Sequence, residues 1–209
     1  FWITNAYYYG TPGSITNTPV SSGTTPPPGG TPPPGGGTTT SSTPNILLII
    51  ADDMGVDATP GYNVGALKPK MPVLQDLSAK GLTFDAVWAD PLCSPTRATV
   101  LTGRYGIRTT VLSADPPTNA IPLSETSIQK YLTQYSTYKS AVIGKWHLAG
   151  PNNGGNDNPS RMGVTHYAGL LGGMQDDYFN WTLTENGATS TVTEYSTTFF
   201  TDSAINWIG

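Results

Sequence analysis

The chain has 209 residues, enough for one domain or one domain with a tail, and 11% of them are charged against 37% hydrophobic. An average soluble domain carries roughly 25% charged residues, whereas here Thr, Ser, Asn, Gly and Pro supply the polarity, a balance more usual outside the cell, so an extracytoplasmic location (periplasmic, cell-surface or secreted) is expected. A formal net charge of -4 leaves no basic footprint for a phosphate backbone, which excludes nucleic acid as the expected partner, and the single cysteine, Cys93, excludes an intramolecular disulfide.

Residues 1–9, Phe-Trp-Ile-Thr-Asn-Ala-Tyr-Tyr-Tyr, are rich in strand formers and too short for a domain. They read either as the last strand of an upstream domain or as a strand that adds to the sheet edge of a neighbouring molecule, a route to self-association. Residues 10–44 are almost wholly Gly, Pro, Ser and Thr, with Thr-Pro-Pro-Pro-Gly-Gly at 25–30 and again at 31–36. Such a stretch buries too little apolar surface to fold, and its proline triplets favour an extended form, so it reads as a semi-rigid linker whose threonines are open to O-linked sugars. No apolar run approaches the roughly 20 residues that span a bilayer. The chain opens on Phe1 rather than Met, as processed or partial sequences do.

From residue 45 to 209 strands alternate with helices, which predicts an α/β domain with a mainly parallel sheet flanked by helices. Residues 45–51 form an unbroken apolar run, as in a strand buried on both faces. Pro at the first turn, Val73, Leu74 and Leu77 on one face and Gly81 as the stop predict a helix over 72–80. A second strand is predicted over 82–88, helices over 94–101 and 125–135, a strand over 139–145, a hairpin within 178–195 around Asn186-Gly187, and a last helix over 199–207.

Three segments carry chemistry, each at the end of a strand or the start of a helix, where open α/β sheets bind ligands. Asp52-Asp53 follows the first buried strand; adjacent carboxylates suit a hard cation, or else a solvated loop. Cys93-Ser94-Pro95-Thr96-Arg97 places a thiol and an arginine at a helix N-terminus, a positive field that lowers thiol pKa and favours anions. The alternative is a buried structural thiol with an ordinary N-capping serine. Lys145 and His147 are two apart on an extended chain and so point to one side, where they could grip an anion; otherwise they are a solvated lysine and a core histidine. His166 has no such context and reads as structural.

Taken together, and in this order, the segments resemble the type I sulfatase family. The run from Asn45 to Gly55 is similar to its opening strand and metal-binding aspartates, 71–84 to its Pro-x-Leu-x-x-Leu helix and following strand, 93–97 to its Cys-x-Pro-x-Arg signature, and 144–148 to its Gly-Lys-Trp-His-Leu segment. The resemblance covers 45–209 only. It implies that Cys93 is oxidised to formylglycine by a formylglycine-generating enzyme, that the hydrated aldehyde attacks sulfate sulfur, and that its second hydroxyl then expels sulfate. It further implies that Arg97 orients that side chain, that Lys145 binds the sulfate group, and that His147 serves the hydrated aldehyde and the substrate. Asp52, Asp53 and Cys93 would contact Ca²⁺, with Mg²⁺ the lesser choice, and substrates would be sulfated small molecules or polysaccharides. Ala149 stands where the family usually has glycine. The family's further metal ligands, second histidine and second lysine are expected downstream of 209, so the domain is expected to be truncated here and these residues alone to be inactive. A structural subunit of an extracellular fibre, joined through the N-terminal strand and linker, is the reading from another class.

Overall fold

The computed structural model describes residues 3–10 (as backbone), 44–84 and 86–209. Of the expected linker at 10–44, residues 11–43 therefore lie outside the described residues, while Gly10 ends a strand. The strands are β1 (Ile3–Gly10), β2 (Ile46–Ala51), β3 (Lys139–Gly144), β4 (His166–Gly169), β5 (Trp181–Glu185) and β6 (Ala188–Val192). The helices are α1 (Pro72–Lys80), α2 (Cys93–Thr102), α3 (Gly106–Thr109), α4 (Ile128–Tyr135), α5 (Asn158–Arg161) and α6 (Ser196–Ile208).

The strands form one six-stranded sheet in the order β2-β1-β3-β4-β5-β6. Only β3 and β4 pair in parallel, so the sheet is mixed rather than mainly parallel. The reason is twofold. β1 runs antiparallel to β2 on one side and to β3 on the other, with Ala6 opposite both Ile49 and Ile143, and so separates two strands that point the same way. At the far side β5 and β6 close as the expected hairpin, its two-residue turn made by Asn186 (φ 47°) and Gly187 (φ 91°). Both turn residues are left-handed, as the tight turn that matches strand twist requires.

β3 is buried on both faces. Val142 points into one core with Ala98, Leu101, Trp146, Leu148, Met162 and Tyr167. Ala141 and Ile143 point into the other, where Trp181 and Phe200 of α6 pack. Trp146 is 1% exposed and donates its indole N–H to Asn158 Oδ1 at 2.6 Å, so the ring is buried without leaving its polar atom unpaired. A side chain of that size contributes about 4–6 kcal/mol of gross hydrophobic stabilisation as an upper bound.

Three sequence expectations are corrected. β2 is an edge strand: Leu48 and Ile50 pack against the core, but Leu47 and Ile49, on the other face, are exposed because no layer covers it, and Ile46 at the strand's start is exposed as well. Residues 82–84 and 86–88 are coil, with Trp88 92% exposed; strand-forming residues there find no partner strand. α4 begins at Ile128, not 125, because Ser127 caps it by accepting from the Lys130 amide, while Glu125 is taken by Arg104 at 2.7 Å. The predicted α1 forms where expected, yet buries none of its residues.

Candidate active site

The C-terminal ends of β2 and β3 and the N-terminus of α2 meet at one place. β2 delivers Asp52 and Asp53, α2 delivers Cys93, Ser94 and Arg97, and β3 delivers Lys145 and His147. A cleft of about 410 Å³ opens there, lined by Ile50, Asp52, Asp53, Asp90, Cys93 and Arg97 among others.

Charge is organised around Asp52. Its Oδ2 accepts from Arg97 Nη2 at 2.7 Å and from Lys145 Nζ at 2.9 Å. Arg97 is 2% exposed and its Nη1 donates to the Lys145 carbonyl at 2.8 Å, so one guanidinium ties the start of α2 to the ends of both strands. Burial pushes the Asp52 carboxyl up, but hydrogen bonds from Lys145 and Arg97, with their charges, outweigh it and hold the group below its ordinary value. Asp53 is exposed and has a left-handed backbone, φ 56°.

Cys93 is the first residue of α2 and half-buried, with its Sγ 3.1 Å from His147 Nδ1. Burial and then the charges of Lys145 and Arg97 lower the His147 pKa to about 4; a hydrogen bond with the Ala114 backbone and the Asp52 charge oppose this without reversing it. The imidazole is thus neutral near pH 7 and offers a base to the group at position 93. His147 also sits at φ 58°. That conformation costs a residue with a side chain about 1–2 kcal/mol, and its persistence needs support from neighbours. The support is visible: Ser94 Oγ donates to the His147 carbonyl at 2.7 Å, and the His147 amide donates to the Leu171 carbonyl at 3.1 Å.

The structure therefore brings Asp52, Asp53, Cys93, Arg97, Lys145 and His147 together. Lys145 and His147 do not share one target as an extended chain would have it: β3 ends at Gly144, the chain turns at His147, and Lys145 goes to Asp52 while His147 goes to Cys93. His166 begins β4 at the opposite end of the sheet, 3.4 Å from Asn186 Nδ2, away from the cluster. Ser94 is the residue that sequence reasoning misplaced. It is fully buried and holds His147, while the N-cap is Leu92 and makes no side-chain bond. Its adjacency to Cys93 in the first helical turn was the available signal. Among the described residues no three His, Cys, Asp or Glu side chains gather as a metal site.

The Sulfatase family model matches residues 44–209. Arylsulfatase G of Rattus norvegicus is 38% identical over 129 residues, covering 60% of this chain and 23% of its own length. Arylsulfatase H of Homo sapiens is 32% identical over 146 residues (64% and 25%). N-acetylgalactosamine-6-sulfatase of Homo sapiens is 36% identical over 115 residues (50% and 22%). The chain spans about a quarter of the length of these relatives. With the family match extending over most of the chain, this protein belongs to the sulfatase family.

Proposed function

We propose that the protein hydrolyses sulfate esters, with the side chain at position 93 as its reacting centre. The observation that carries this reading is the 3.1 Å contact between Cys93 Sγ and a neutral His147 at the N-terminus of α2, beside two cationic side chains. The position suits formylglycine: the thiol is half-buried and lines the cleft, and His147 Nδ1 already stands at hydrogen-bond range. When formed, that group supplies a hydrated aldehyde oxygen as nucleophile toward sulfate sulfur. His147 accepts a proton at Nδ1 and orients the attacking group. The α2 N-terminus and the Lys145 ammonium favour the sulfate oxygens, and Arg97 fixes Lys145 through its carbonyl.

A divalent cation, Ca²⁺ ahead of Mg²⁺, belongs to this proposal only with donors beyond the described residues. Asp52 is engaged by two cations, and Asp53 and Cys93 do not complete a site with it. For the same reason the 209 residues alone are proposed to be inactive. One relative is by name an N-acetylgalactosamine-6-sulfatase, which supports a sulfated sugar, alone or in a polysaccharide, as substrate. The composition supports an extracytoplasmic location, and among the described residues no helix is long and apolar enough to cross a membrane.

The test is peptide mass spectrometry of native-source protein together with release of sulfate from 4-methylumbelliferyl sulfate. An aldehyde in place of the Cys93 thiol, with turnover lost in Cys93→Ala, is the expected result. A persistent thiol and no turnover in the native-source protein overturns the reading, and robust Ca²⁺-dependent turnover by the 209 residues alone overturns the claim of inactivity. A second reading, a structural subunit joined through its N-terminal strand, draws on the pairing of β1 between β2 and β3, a slot that the same strand from a neighbouring copy would fill equally well. Light scattering decides it: concentration-dependent growth that vanishes on deleting residues 1–10 supports it, and a monomer at every concentration removes it.

A further inference from the structure

The segment after β4 returns across the site. Its backbone continues the ladder past the end of the strand, with the Trp146 amide donating to the Leu170 carbonyl at 2.8 Å and the His147 amide to Leu171 at 3.1 Å. Two glycines follow, and they differ. A Cβ on Gly172 meets nothing within 4 Å. A Cβ on Gly173 would lie 2.5 Å from Cε1, 2.6 Å from Nε2 and 3.1 Å from Nδ1 of His147. Gly173 is not among the glycines with positive φ, so its backbone admits any residue. What excludes a side chain there is the imidazole.

We infer that Gly173 is a positioning residue for His147, leaving the space in which the imidazole lies against Cys93. The ring has little freedom to yield harmlessly. Its Nδ1 faces Cys93 Sγ at 3.1 Å, its carbonyl is held by Ser94, and its amide is held by the same segment that carries Gly173. A methyl group at 173 therefore moves the ring rather than the backbone, and the contact with Cys93 opens. The consequence for catalysis rests on the proposed sulfatase chemistry; the geometry does not.

The test uses the 209-residue chain with Cys93 as its thiol. Only two histidines are present, so ring resonances of labelled histidine separate into His147 and His166. Gly173→Ala moves the His147 ring signals and spares His166, while Gly172→Ala moves neither. At a fixed pH of about 7.5, alkylation of Cys93 by iodoacetamide slows by about tenfold in Gly173→Ala, as the thiol loses its imidazole partner, and stays at the wild-type rate in Gly172→Ala. In the His147→Ala background Gly173→Ala has no further effect, because it acts through the ring. Should Gly173→Ala fail to fold, the double variant with His147→Ala regains the fold. Unmoved His147 resonances with a wild-type alkylation rate overturn the inference, as does an undiminished effect without His147 or a double variant that also fails to fold. If the expected shifts appear and sulfate release is never observed, the functional reading fails and the positioning role stands.

Discussion

Arg97→Met removes the guanidinium that joins the start of α2 to the ends of β2 and β3, and its effect is calculable from the contacts. The ion pair with Asp52 and the bond to the Lys145 carbonyl both disappear. Stripping one partner from a buried pair costs about 3–5 kcal/mol, chiefly for the charge left behind. Here Asp52 is 16% exposed and keeps Lys145 at 2.9 Å, so the figure falls to about 2–3 kcal/mol. At about 2–4 °C per kcal/mol for a domain of this size, Tm drops by about 4–12 °C. The control is Lys80→Met, which breaks an ion pair of similar length, 2.8 Å, whose side chains are 73% and 59% exposed. That loss is within about 0.5 kcal/mol. Urea unfolding of the three proteins is the assay. Equal losses from the two variants would refute the reasoning, since they would mean that burial adds nothing to the Arg97 pair.

Stability falls as pH is lowered. His147 titrates at about 4 in the folded chain and near 6.5 when unfolded, so the unfolded chain takes up its proton first and stability is lost between about pH 6.5 and 4, by on the order of 1–2 kcal/mol after discounting for solvent screening. Asp52, whose folded pKa is depressed, contributes in the same direction but only as pH falls through its lowered value. Denaturant midpoints at pH 7.5, 5.5 and 4.5 should show the slope, and His147→Asn, a residue tolerant of positive φ, should remove the part above pH 4; a flat profile contradicts this. Ser94→Ala leaves the His147 carbonyl without its buried donor and destabilises by about 1–3 kcal/mol, read by the same titration. Gly169→Ala places a Cβ 1.8 Å from the Gly144 carbonyl oxygen, and circular dichroism is expected to show a chain that does not fold at 37 °C.

How far the fold was legible depends on whether a segment's structure is local or supplied by neighbours. α2, α6, β3 and the β5–β6 hairpin follow from periodicity, capping and turn chemistry within a dozen residues, and they stand where the sequence puts them. The misreadings involve partners. The apolar run 45–51 looks doubly buried, but apolar composition records what a strand tolerates, not what covers it, and in this chain β2 has one uncovered face. Residues 82–84 and 86–88 have strand composition and, among the described residues, no strand to pair with. The antiparallel pairing at one side of the sheet comes from a strand more than 30 residues away along the chain, β1, whose place between β2 and β3 no local pattern announces.

The site divides the same way, and the division explains which of its parts motifs can reveal. Asp52, Cys93, Arg97, Lys145 and His147 were legible because their side chains carry charge or nucleophilicity that a fold places at strand and helix ends only with compensation, and each proves compensated by another of the set. Ser94 was visible as a residue, but the one role weighed for it, as the alternative reading, was that of a cap, since a hydroxyl in a first helical turn usually serves its own helix; only the approach of β3 shows that it serves His147 instead. The Leu170–Leu171 segment could not have been found at all. It holds Trp146 and His147 through main-chain carbonyls, which every residue possesses, so its contribution leaves no mark on composition or spacing. The one mark that the segment does leave is an absence, the missing side chain of Gly173, and an absence becomes informative only when the ring that fills the space is in view. Motif chemistry thus picks out the side chains that gather here, while the left-handed turn that brings His147 to Cys93 is enforced by neighbours whose identity is nearly silent in sequence.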